Sequence, residues 1–91
     1  MAHPNLTEGN NYFRNEKYKE AIDMYSKIHK SSNYYQEAQY YLGECYLNQE
    51  EFIEAVEAYN KVNKNHYLFE KASSNISVIE KNFDLINMDI F

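Results

Sequence analysis

The sequence predicts an all-α chain built from repeated helical hairpins. Three observations carry the prediction. Residues of matching type recur at a fixed offset of 34 without a gap. Within each recurrence the apolar residues fall at helical spacing. Only two Gly and one Pro occur in 91 residues, too few to punctuate strands joined by tight turns.

The offset aligns Gly9 with Gly43, Tyr12 with Tyr46, Tyr18 with Phe52, Ala21 with Ala55, Ile22 with Val56, Tyr25 with Tyr59 and Ile28 with Val62. In the second recurrence Ala38, Leu42, Cys45 and Tyr46 share one helix face, and Phe52, Ala55, Val56, Tyr59 and Val62 share another. The polar run Asn48-Gln49-Glu50-Glu51 separates them, as Asn15-Glu16-Lys17 does in the first. Helices are therefore expected over 5–15, 18–29, 34–48 and 52–63. Gly9 and Gly43 are expected where paired helices cross most closely, opposite Ala21 and Ala55, because small residues let backbones approach. Tyr12, Tyr46, Tyr25 and Tyr59 then fill the space between neighbouring hairpins.

The last segment follows another rule. Ala72, Ile76, Ile79, Phe83, Ile86 and Ile90 form one apolar seam at a 3.5-residue period. It begins as a third copy of a first helix, because Ala72 and Ile76 stand 34 residues after Ala38 and Leu42. Asp89 then occupies the position of the small Ala, so the segment is expected to cap the stack rather than repeat it.

The pattern Leu42-Gly43-x-x-Tyr46 with Phe52, Ala55 and Tyr59 resembles the tetratricopeptide repeat (TPR) signature, at that family's period. The resemblance spans about residues 4–82 and is weaker in the first repeat, where Glu8 and Asn5 depart from it. It implies an α-solenoid fragment: one domain over 1–91, with repeats at about 4–34 and 36–66 and a closing helix at about 67–90. The function it implies is protein binding.

Composition narrows the classes further. A net charge of -5 with dispersed basic residues lacks the cationic footprint that nucleic acid or anionic membrane requires. No apolar stretch approaches the ~20 residues of a membrane span. Met1-Ala2-His3-Pro4 has neither the basic nor the apolar region of a signal peptide. The expectation is a cytoplasmic protein, or a periplasmic or envelope one if a signal peptide has been removed. Cys45 is the sole cysteine, so it forms no internal disulfide, and it reads as a small core residue. His3, His29 and His66 are scattered, and neither a phosphate loop nor a metal-ligand spacing occurs. No enzyme, cofactor or metal is expected.

In the resembled family the first helix of each hairpin lines the concave face. That implies Leu6, Asn10, Phe13 and Arg14 from the first repeat, and Glu37, Tyr40, Tyr41, Glu44, Leu47 and Asn48 from the second. Lys71, Ser74, Asn75 and Val78 come from the closing helix. Phe13, Asn10, Tyr40, Tyr41, Glu44 and Lys71 are the candidate partner-binding residues, for a peptide or helix of another protein. Phe13, Tyr40 and Tyr41 form either an aromatic floor for that ligand or packing beneath the closing helix. One TPR subclass grips the C-terminal carboxylate of heat-shock chaperones with Lys, Asn, Asn, Lys and Arg. The matching positions are Leu6, Asn10, Tyr41, Lys71 and Asn75, and only Asn10 and Lys71 keep the type, which argues against that ligand. A second expectation is self-assembly into a homodimer through Phe83, Ile86, Ile90 and Phe91. The run Ala38-Gln39-Tyr40-Tyr41-Leu42-Gly43-Glu44 is similar to the repeats of bacterial envelope TPR proteins.

Overall fold

The computed structural model describes the backbone of residues 3–90 and the side chains of residues 3–82. Five helices follow one another: α1 (Pro4–Arg14), α2 (Tyr18–Ser26), α3 (Tyr35–Asn48), α4 (Phe52–Tyr59) and α5 (Phe69–Ile90). Each packs against the next in chain order. In the first hairpin Phe13 meets Tyr18 beside the turn, with ring centroids 5.9 Å apart, while Gly9 meets Tyr25 farther from it, so α1 and α2 run antiparallel.

The 34-residue repeat extends to the backbone hydrogen bonds. Glu16 N donates to Phe13 O and Lys17 N to Tyr12 O; Glu50 N donates to Leu47 O and Glu51 N to Tyr46 O. Each pair forms a Schellman closure at the end of the hairpin's first helix. Both closures need a left-handed residue, and Glu16 (φ 60°) and Glu50 (φ 61°) supply it. The two glycines stand inside helices instead.

The second helices end earlier than the apolar spacing predicts, at Ser26 and Tyr59 rather than near 29 and 63. Lys27 N and Ile28 N bond back three residues to Met24 O and Tyr25 O, and Lys61 N and Val62 N do so to Ala58 O and Tyr59 O. This tightened last turn still delivers Ile28 and Val62 into the core, where both are buried. Side chains hold the connections onward. His29 Nδ1 accepts from Ser31 N (3.1 Å), Ser32 Oγ from Tyr34 N (3.1 Å) and His66 Nδ1 from Leu68 N (3.2 Å).

Two apolar clusters form the core, one joining the first hairpin to the second and one joining the second hairpin to α5. Leu6, Ala21, Tyr25, Ala38, Leu42 and Cys45 belong to the first; Ala55, Tyr59, Val62, Leu68, Ala72 and Ile79 belong to the second. Tyr41 and Tyr46 pack against both and join them. The expected Gly–Ala crossing is corrected. A Cβ on Gly9 would lie 2.7 Å from Tyr25 Cε1, and one on Gly43 would lie 2.5 Å from Tyr59 Cε1. The glycines make room for buried tyrosine rings of the same hairpin. Tyr25 also reaches between hairpins, stacking on Tyr41 at 5.9 Å and 19°.

α5 runs unbroken through the position where α1 and α3 turn back. Ala72 and Ile79 are buried against α4. On its side away from α4, Ser77 stands 34 residues after Gly43, and Ser74, Ser77, Glu80 and Lys81 are all exposed. A polar outer face of this kind caps a helical stack.

Candidate functional site

The candidate groove runs across one side of α1, α3 and α5. Phe13 and Tyr41 are half-buried, with ring centroids 5.5 Å apart in an edge-to-face arrangement. Tyr40 follows edge-on to Tyr41 at 5.2 Å, and it packs on Tyr59 at 5.7 Å. Phe13, Tyr41 and Tyr40 are therefore brought together, but unequally. Tyr40 is 8 % exposed and belongs to the core beneath α5, whereas Phe13 and Tyr41 keep part of their surface in solvent.

Asn10 and Glu44, predicted to line the groove, also hold it in shape. Tyr25 Oη donates to Asn10 Oδ1 at 2.6 Å, and Tyr59 Oη donates to Glu44 Oε1 at 2.6 Å. The two bonds are equivalent under the 34-residue offset. Asn75 Nδ2 adds a third helix, donating to Glu44 Oε1 at 2.9 Å and to Tyr59 Oη at 3.2 Å. This triangle pins α5 to the second hairpin at the floor of a recess of about 490 Å³. Tyr40, Glu44, Leu47, Lys71, Ser74 and Asn75 are among its walls. The spacing Asn10–Tyr25 and Glu44–Tyr59, 15 residues in both repeats, was the sequence signal for these locks.

Lys71 is exposed at the rim of this recess, and Arg14 is exposed at the end of α1. Between them the field is acidic. Burial, then Glu37 and Glu44, push the Tyr41 hydroxyl up, against a smaller lowering by Arg14. Burial and Glu44 push Tyr40 up to about 12. Glu37 also accepts a long bond, 3.5 Å, from Tyr67 Oη. Tyr67 is an exposed aromatic stacked on His66 at 4.6 Å, which the sequence reading did not single out. Val78 is exposed on α5. Phe83, Ile86, Ile90 and Phe91, the candidate self-association residues, lie outside the described side chains.

Cys45 is fully buried, and burial followed by Glu44 pushes its thiol up to about 12, so it carries no thiolate at neutral pH. Each of the three histidines accepts a backbone N–H at Nδ1 from two residues on, at Asn5, Ser31 and Leu68. Among the described residues no group of three or more His, Cys, Asp or Glu converges, and no described helix is long and apolar enough to cross a membrane.

The tetratricopeptide repeat family model matches residues 12–70. The chain belongs to the tetratricopeptide repeat family. No curated protein and no solved structure matches it. TPR repeats generally mediate protein–protein interaction and are typically non-catalytic. This TPR chain presents aromatic area at Phe13 and Tyr41, a recess between α3 and α5, and nearby charges of both signs.

Proposed function

We propose that the chain is a non-catalytic adaptor of the cytoplasm whose concave groove receives a peptide or helix of a partner protein, and that nucleic acid is not its ligand. The observation that carries this reading is the half-exposed pair Phe13 and Tyr41, edge-to-face at 5.5 Å. Rigid aromatic area of this kind anchors ligands at low entropic cost. The acidic net charge, -5, supports a protein rather than a polyanion as partner. The bonds Tyr25–Asn10 and Asn75–Glu44 occupy the very side chains that a carboxylate clamp would need free, which supports a ligand other than a chaperone tail. The test is to select peptides from a displayed random library on the full chain and map the best binder by amide chemical shifts. Shifts at Asn10, Phe13, Tyr41, Glu44 and Lys71, with Lys71→Glu and Arg14→Glu altering affinity, support the groove. Shifts confined to α2 and α4 would move the site elsewhere.

A second reading has its own observation. α5 continues to Ile90, 22 residues in all, or about 33 Å at 1.5 Å per residue. The 8-residue α4 beneath it offers only about 12 Å. This supports self-assembly through the far end of α5. Molar mass by light scattering, before and after deleting residues 83–91, tests it: an unchanged mass excludes that segment as the assembly surface.

A further inference from the structure

Half a turn around α3 from Tyr41 and Glu44, the helix presents Gln39, Leu42 and Tyr46 to a second recess, on the face away from the concave groove. It holds about 300 Å³, with Glu54, Glu57 and Lys61 on its α4 side. That volume lies at the small end of the ~300–1,000 Å³ typical of ligand sites. We infer that this recess receives an arginine side chain presented by a partner protein.

The floor supplies the first reason. Gln39 is 6 % exposed and is the buried polar residue among the described core. No side-chain hydrogen bond among the described residues uses its amide. Yet no buried side-chain nitrogen or oxygen is sealed away without a partner. The amide therefore opens into the recess, and its carbonyl is free to accept N–H groups from a ligand. Leu42 and Ala58 line the walls and suit an alkyl stem. Tyr46 adds an aromatic ring, on which a guanidinium stacks more readily than an ammonium.

Charge supplies the second reason. Glu54 and Glu57 are exposed at the rim. After burial, Glu51, Glu54, Cys45 and Glu57 push the Tyr46 hydroxyl up. The two carboxylates Glu54 and Glu57 outnumber Lys61 in the lining, so the recess is net negative. On the α2 side Lys27 is paired with Asp23 at 3.4 Å and does not compensate. An incoming guanidinium meets carboxylates at the mouth and an amide oxygen at the floor, which its planar fork of five donors can engage together.

The test uses the full chain, isotope-labelled, titrated with acetyl-Gly-Arg-Gly-amide and with the same tripeptide carrying citrulline, a neutral isostere of arginine. The expected result is saturable shifts at the Gln39 side-chain amide and at Tyr46, Glu54 and Glu57. The citrulline peptide should bind about tenfold more weakly, since it lacks the charge-assisted contacts. Glu54→Gln with Glu57→Gln, both at exposed positions, should weaken the arginine peptide severalfold with the melting temperature unchanged. Gln39→Leu, which keeps the packing volume and removes the amide, should weaken it too. Equal binding of arginine and citrulline, shifts confined to Tyr41, Glu44 and Lys71, or no saturable shift would each overturn the assignment. Concave-groove binding is read at different residues, so either site can fail without the other.

Discussion

Gly43 stands in the interior of α3, where glycine weakens a helix by about 1 kcal/mol relative to alanine. It remains there because a methyl group would meet the Tyr59 ring at 2.5–2.8 Å, and that ring is fully buried and cannot swing away. Gly43→Ala should therefore destabilise despite its better helix propensity, since overpacking costs about 1–3 kcal/mol. An unchanged urea midpoint would show that the ring is free to yield. The tyrosine hydroxyls make a graded pair. Tyr59 donates to a carboxylate and Tyr25 to a neutral amide. Hydrogen bonds to charged groups contribute about 1.5–3 kcal/mol against about 0.5–1.5 for neutral ones. Tyr59→Phe should thus lower unfolding stability more than Tyr25→Phe; equal losses would mean that the charge on Glu44 adds nothing to the bond.

At the scale of the element, the hairpin turns close on residues that ordinarily resist the conformation required. Glu16 and Glu50 both sit at φ near 60°, and a left-handed backbone costs a residue with a Cβ roughly 1–2 kcal/mol. Glu50→Gly should raise stability, by up to about 1 kcal/mol once glycine's greater unfolded-state freedom is counted. A lower denaturation midpoint would instead assign the Glu50 side chain a stabilising contact. The closing helix shows the opposite choice. Asp84 stands 34 residues after Glu50, yet α5 continues through it to Ile90. The second-helix positions end the same way in both repeats, because Ile28 and Val62 are drawn into the core by a tightened turn.

For the whole molecule, the buried ionisable groups set an alkaline limit to stability. Burial raises the Cys45 thiol from 9.0 to about 12 and the Tyr40 hydroxyl from 10.0 to about 12, and it raises Tyr25 and Tyr59 as well. Below pH 9 the folded and unfolded chains both keep these protons, and stability is full. Between pH 9 and about 12 the unfolded chain loses them while the folded chain holds them. The unfolded state then binds fewer protons, so stability falls as pH rises. Melting temperature should drop across this window, and Cys45→Ala should lessen the earliest part of the drop. A flat profile would mean that these groups are exposed in solution.

The order and number of helices, the offset of 34, both polar turns and the burial of Cys45 were legible in the sequence. They depend on periodicity and side-chain size, which a linear string records directly. The aromatic trio was legible as a set, since the repeat puts Phe13, Tyr40 and Tyr41 on first helices. How much of each ring faces solvent was not: that depends on how closely α5 packs, and only its packing puts Tyr40 into the core while leaving Tyr41 half-covered. The partner of Gly43 was likewise misassigned to Ala55, because spacing along two helices does not specify the rotamer that lays the Tyr59 ring across the glycine. The dual position of Glu44, in the groove yet bonded to Tyr59 and Asn75, required three helices to be in place at once. Sequence alone determined which residues repeat; tertiary structure decided which of their atoms remain free, because hydrogen bonds between helices 15 and 31 residues apart in the chain leave no local trace.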